Sequence, residues 1–190
     1  MPGIPVIAIT GGPCGGKSTF MVRALEWLAN FGYHTLIVSE TATELISAGA
    51  SPAVLGLDAF QEHLLLYTIR REEHYLEIAR AITGSDRRVV ILCDRGVLDC
   101  AAYMGPEPYR KMIARLGYTQ EQLRARYHLV VHLVSAAIGA EKFYTLANNA
   151  ARSESPEEVE GTPFFVHSFY KYRILCSAQS NKLSWRHTQC

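Results

Sequence analysis

Apolar residues fall along this chain in short unbroken runs separated by longer stretches of helical spacing. The runs are residues 6–10, 35–39, 89–93 and 128–134. They do not alternate polar with apolar, so each predicts a strand buried on both faces, as in a parallel sheet covered by helices. Residues 17–31 carry Phe20, Ala24, Leu25, Trp27 and Leu28 at helical intervals, and Gly32 closes that helix. Residues 58–82 carry Phe60, Leu64, Tyr67, Arg71, His74, Ile78 and Ile82 at steps of three and four, before Gly84-Ser85-Asp86 ends the pattern. A polar helix start follows Glu40 at Thr41. Pro106 and Pro108 predict a loop, then a helix over 109–116 and a second from Thr119, whose Thr-Gln-Glu-Gln start is a capping box. Residues 140–152 read as one more helix and 153–161 as an acidic, polar stretch. From 162 to 190 no period of 2.0 or 3.6 is visible, so that tail has no assignment.

Strand, loop, helix, repeated along 190 residues with 48% hydrophobic content, predicts one α/β domain around one continuous core. The assigned domain covers 1–158 and the unassigned tail 159–190. With 19 Lys+Arg against 18 Asp+Glu, no whole-molecule field would hold nucleic acid or an anionic membrane, so any anion site is local. No apolar stretch approaches the roughly 18 residues needed to span a bilayer, and the start lacks a basic region, which makes a cytoplasmic protein the expectation. Cys14, Cys93, Cys100, Cys176 and Cys190 show no CxxC pairing, so free thiols are expected. His63 and His74 lack the spacing of a metal-ligating pair.

Gly11-Gly12-Pro13-Cys14-Gly15-Gly16-Lys17-Ser18 matches GxxxxGK[ST] between a predicted strand and a predicted helix. That placement surrounds a phosphate with backbone N–H groups and a helix N-terminus. Glycines allow the close approach, Lys17 brings a compact charge to the β- and γ-phosphates, and Ser18 offers a hydroxyl to Mg²⁺. Thr19 completes the cradle for ATP or GTP. Cys14 is a small loop filler, or a thiol with its pKa lowered by neighbouring dipoles. Magnesium usually takes one or two protein oxygens, and Asp94 is the candidate for the second.

Open parallel sheets bind ligands beyond the carboxyl ends of their strands, where the P-loop, Glu40 and Asp94-Arg95 are expected to converge. In a phosphoryl-transfer reading Asp94 holds Mg²⁺ or its water, Glu40 or Asp94 accepts a hydroxyl proton, and Arg95 binds phosphate. Each has a plainer role: Glu40 as a carboxylate at a helix start, Asp94 as a turn residue, Arg95 as a structural ion pair. Arg152 is either a lid arginine closing over the triphosphate or a solvated charge at a helix end. Gln61 either offers its amide to a nucleobase or other acceptor, or faces solvent.

The P-loop, Ser39-Glu40-Thr41-Ala42, Phe60-Gln61-Glu62, Cys93-Asp94-Arg95-Gly96 and the block Gly139-Ala140-Glu141-Lys142-Phe143-Tyr144-Thr145-Leu146-Ala147-Asn148-Asn149 occur in that order. On these, residues 4–158 resemble the AAA-type NTP-binding domain of the NadR and TRPL-translocation-defect family, among the kinase-like P-loop proteins. The resemblance implies a three-layer α/β/α P-loop NTPase fold with a mainly parallel sheet, and a small-molecule acceptor cleft near Glu40, Gln61 and Arg95. Some relatives bind phosphoinositides and carry a further C-terminal domain of the triphosphate-tunnel kind. This chain is too short for that domain, so lipid binding does not transfer. The family's final strand is expected to be missing here, which would expose a sheet edge and weaken nucleotide affinity.

Three functions compete: a GTP- or ATP-binding regulatory module with slow or no hydrolysis, a small-molecule or nucleoside-type kinase, and a shortened isoform with an intact motif but an incomplete sheet. Appearance of phosphate on an acceptor separates the second from the first.

Overall fold

The computed structural model describes residues 3–12, 15–83 and 87–133, together with the backbone of 173–176. Its elements are β1 (Val6–Gly11), α1 (Lys17–Asn30), β2 (Tyr33–Val38), α2 (Thr41–Ser47), α3 (Pro52–Leu55), α4 (Leu57–Thr83) and β3 (Arg88–Asp94). A 3₁₀ turn (Val97–Asp99) follows, then α5 (Cys100–Met104), α6 (Pro106–Arg115), α7 (Gln120–Arg124), β4 (Leu129–Leu133) and β5 (Arg173–Cys176). The strands form one sheet in the order β2-β3-β1-β4-β5, and each neighbouring pair is parallel.

The unalternating runs are strands because both faces of the sheet are covered. In β3, Val89, Ile91 and Cys93 enter the larger core with Phe60, Leu65 and Ile69 of α4 and Tyr109 and Met112 of α6. Val90 and Leu92 point the other way, into a smaller core with Met21 and Leu28 of α1. A strand in that position has no face to give to polar residues. The result is a three-layer α/β/α arrangement about a parallel sheet.

Because all strands run the same way, Gly11, Val38, Asp94 and Leu133 end at one rim. β1 stands at the centre, with β3 on one side and β4 on the other. The chain changes direction across the sheet there, which is where open α/β sheets leave a crevice.

The sheet departs from expectation at its end. A final strand, expected to be missing, is present: Arg173–Cys176 pairs parallel with Val130–Leu133 of β4. Its four apolar and basic residues are too few to show a period, and no helix pattern flanks them. β4 therefore has a neighbour on each side. Pro106 and Pro108 stand in the first turn of α6 rather than in a loop. A proline there loses no helical hydrogen bond, because the first N–H groups of a helix have no acceptor within it. The capping box at Thr119 forms as read: Gln122 N–H donates to Thr119 Oγ1 at 3.1 Å, and Thr119 N–H donates to Gln122 Oε1 at 2.8 Å. The expected helix at 140–152, the polar stretch after it and the Gly139–Asn149 block lie outside the described residues. No helix among the described residues is long and apolar enough to cross a membrane.

Candidate functional site

Gly11 ends β1 at φ 139°, and a Cβ built there would lie 2.1 Å from the Leu133 carbonyl oxygen. Only glycine lets β1 turn upward this close to β4. Gly16, at φ 79°, is the N-cap of α1, which has no side-chain cap and no acidic residue in its first turn. The N-terminus of this 14-residue helix is thus left for an anion. Ser18 and Thr19 are exposed on that first turn. Pro13 and Cys14 lie outside the described residues.

Lys17 is buried, and its Nζ donates to the carbonyls of Gly11 and Gly12, each at 2.9 Å. Burial, reinforced by the charge of Arg95, lowers its pKa to about 8, against the pull of Glu40, Asp94 and Asp99. The ammonium is therefore held inside a cluster of charges rather than on a free surface.

Arg95 gathers three strand ends. Its Nε donates to Glu40 Oε1 at 2.5 Å, just past β2, and its Nη1 donates to the Gly11 carbonyl at 3.3 Å, at the end of β1. Its own residue follows β3 at φ 74°, the one positive φ at a non-glycine residue among those described. Its N–H donates to the Ile9 carbonyl at 2.9 Å, which fixes the turn. Asp99 Oδ2 lies 3.9 Å from Nη1 and accepts the Thr10 hydroxyl at 2.7 Å.

The two candidate carboxylates differ. Glu40 occupies the N-cap position of α2 without bonding its backbone; its Oε2 accepts the Thr43 hydroxyl at 2.6 Å. Burial alone would raise its pKa, but Arg95, Thr43 and Lys17 outweigh burial and hold the carboxyl below its ordinary value. Asp94 goes the other way: burial, then the neighbouring Glu40 charge, raise its pKa. Its Oδ1 is enclosed without a hydrogen-bond partner. The corner carrying Glu40 is pinned from α4, where Thr68 shares a 2.7 Å hydroxyl bond with Thr41 and Arg71 Nη2 donates to Ser39 Oγ at 3.0 Å.

Gln61 does not face solvent. It is 3% exposed, and its Oε1 is enclosed without a hydrogen-bond partner. Arg152 lies outside the described residues. Asp99 and Thr10 were not singled out by motif; the signal for Asp99 was its i,i+4 spacing from Arg95. Cys93 and Cys100 are buried thiols, and burial pushes Cys100 up to about 12, with Asp99 adding to it.

The residues present fit Mg²⁺. No group of three His, Cys, Asp or Glu that could hold a metal occurs among the described residues. Magnesium does not need one, since it keeps several waters and takes few protein oxygens. An exposed Ser18 hydroxyl and an Asp94 carboxylate with an unpartnered oxygen meet that requirement.

A family model described as an AAA domain matches residues 6–174. No curated protein matches the sequence. Among solved structures, deoxyadenosine kinase from M. mycoides, with dCTP bound, is similar at a TM-score of 0.54 and 16% identity, covering 93% of this chain and 91% of that one. At that identity the likeness speaks for the fold. The P-loop between β1 and α1, the parallel sheet and the match over most of the sequence agree: this chain belongs to the AAA-domain family of P-loop nucleotide-binding proteins.

Proposed function

We propose that this chain is a small-molecule kinase that transfers the γ-phosphoryl group of ATP or GTP to a hydroxyl of a small acceptor, in the manner of a nucleoside-type kinase. The observation that carries the reading is the junction at Arg95, which joins the ends of β1, β2 and β3 through Gly11 and Glu40, with Asp94 beside it. A nucleotide-binding loop needs no such arginine between two carboxylates, whereas phosphoryl transfer uses one to hold charge that builds up on phosphate oxygens.

In this reading Gly11 to Thr19 cradle the phosphates, and Lys17 exchanges the Gly11 and Gly12 carbonyls for β- and γ-phosphate oxygens. Ser18 and Asp94 would hold Mg²⁺ or its waters, and Mg²⁺ when bound offsets the negative charge of the phosphates. Asp94 suits that role through its unpartnered Oδ1. Glu40, kept ionised by Arg95 and Thr43, accepts the proton of the acceptor hydroxyl once Arg95 turns to phosphate. Gln61 lines the acceptor side, and Arg152 serves as a lid arginine. Closer affiliation with the NadR and TRPL-translocation-defect proteins rests on the sequence blocks at 39–42, 60–62, 93–96 and 139–149.

A second reading is a regulatory module with slow or no hydrolysis. It is favoured by Lys17 and Arg95 both bonding the loop's own carbonyls, so that nucleotide must rearrange the loop to bind. Incubation with γ-labelled ATP or GTP, Mg²⁺ and a panel of nucleosides and other hydroxyl-bearing small molecules separates the two. Label on an acceptor, lost in Glu40→Gln, supports the kinase; tight binding with label on no acceptor supports the module.

A further inference from the structure

Beneath the site, a buried chain of hydrogen bonds runs from α4 to the loop that carries Arg95. Glu72 is 2% exposed. One of its oxygens accepts Arg126 Nε at 2.7 Å, and Arg126 also donates to the Ile69 carbonyl at 3.1 Å. The other oxygen accepts the Tyr127 hydroxyl at 2.5 Å, and that hydroxyl accepts the Val97 N–H at 2.7 Å. A carboxylate can only accept, so the phenolic proton points at Glu72 and leaves a lone pair for Val97. The direction of the chain is fixed by its members.

Val97 is two residues beyond Arg95, whose φ of 74° is costly for a residue with a Cβ. Such a conformation persists only where its surroundings over-determine it. On one side Arg95 is held by its N–H to Ile9; on the other, the loop is held by Val97 to Tyr127. If the second hold is lost, the backbone can relax toward negative φ and swing the guanidinium away from Glu40 and Gly11. The same helix, α4, pins the Glu40 corner through Thr68 and Arg71.

We infer that Tyr127, oriented by Glu72, is a positioning residue that holds the Asp94-Arg95-Gly96 loop in its strained form and so sets where the Arg95 guanidinium stands. The functional arm rests on the kinase reading above; the structural arm does not.

The test compares Tyr127→Phe with Thr119→Ala in the full ¹⁵N-labelled chain. Thr119→Ala removes the α7 capping box nearby and serves as a control for general destabilisation. The readouts are hydrogen exchange at the Val97 amide, the Arg95 Nε–H resonance, and kcat and KM for phosphoryl transfer. Tyr127→Phe is expected to speed Val97 exchange about tenfold, weaken the Arg95 resonance, and lower kcat about tenfold with KM nearly unchanged. Thr119→Ala is expected to lower Tm while leaving the Val97 and Arg95 signals as in the wild type.

Unchanged Val97 and Arg95 signals in Tyr127→Phe, or equal changes in both variants, overturn the inference. So does a shifted Arg95 signal with kcat intact. Absence of phosphoryl transfer in the wild type sinks the kinase reading instead, and the Arg95 resonance then decides the positioning on its own. Should Tyr127→Phe not fold, Glu72→Gln, which removes the charge that orients the phenol, is expected to speed Val97 exchange about threefold; no change there overturns the inference.

Discussion

Gly11→Ala places a methyl group where the fold has no room. The new Cβ would lie 2.1 Å from the Leu133 carbonyl oxygen and 3.0 Å from its carbon, both backbone atoms of the adjoining strand. An ordinary contact is about 3.5 Å, so β1 and β4 must part by over an ångström at the rim. Overpacking of this kind costs about 1–3 kcal/mol. Holding alanine at φ 139° costs about 1–3 more, for roughly 2–6 kcal/mol in all. Gly11 also presents the carbonyl that Lys17 and Arg95 share, so the site shifts with it. Gly16→Ala is the control: its φ is 79°, but nothing lies within 4 Å of the added Cβ, so only the backbone penalty of about 1–2 kcal/mol applies. Urea unfolding of both variants measures the difference. The reasoning is refuted if Gly11→Ala is no less stable than Gly16→Ala.

Lys17 gives a pH signature with a definite sign. Its folded pKa of about 8 lies below the ordinary 10.5, so between those values the unfolded chain binds more protons and stability rises with pH, by an amount on the order of 3 kcal/mol. Lys17→Met should remove that rise, and unfolding curves from pH 7 to 11 would show whether it does. Asp94 has its pKa raised by burial and by Glu40, so its charge costs stability at neutral pH. Asp94→Asn is expected to stabilise the fold at pH 7, with the gain vanishing below the ordinary value of 3.8, while reducing Mg²⁺-dependent turnover about a hundredfold. Thermal unfolding across pH, alongside the label-transfer assay, checks both halves.

The sequence showed most clearly those parts whose chemistry is local. A strand buried on both faces, a glycine loop and an amphipathic helix each carry their own signal, so β1, α1, α4 and β3 stand within a residue or two of where periodicity places them. Short elements do not: α3, the 3₁₀ turn and α5 have at most five residues and hold position through contacts with α4. β5 was invisible for the same reason, because a four-residue strand is defined by its partner β4 rather than by its own pattern. In the site, motifs pointed to Lys17, Glu40, Asp94 and Arg95, yet gave no means of telling the carboxylates apart. The contrast came from three dimensions: Arg95 engages Glu40 and leaves one Asp94 oxygen without a partner. The Glu72–Tyr127–Val97 chain joins residues 55 and 30 positions apart, beyond any spacing rule.

The most direct test of a working P-loop is calorimetric titration of the wild type and Lys17→Ala with non-hydrolysable ATP and GTP analogues plus Mg²⁺. The account predicts a Kd on the order of 10 μM for at least one analogue in the wild type, weakened at least about a hundredfold in Lys17→Ala. A folded wild type that binds neither analogue, or a Lys17→Ala variant that binds as tightly, would contradict it.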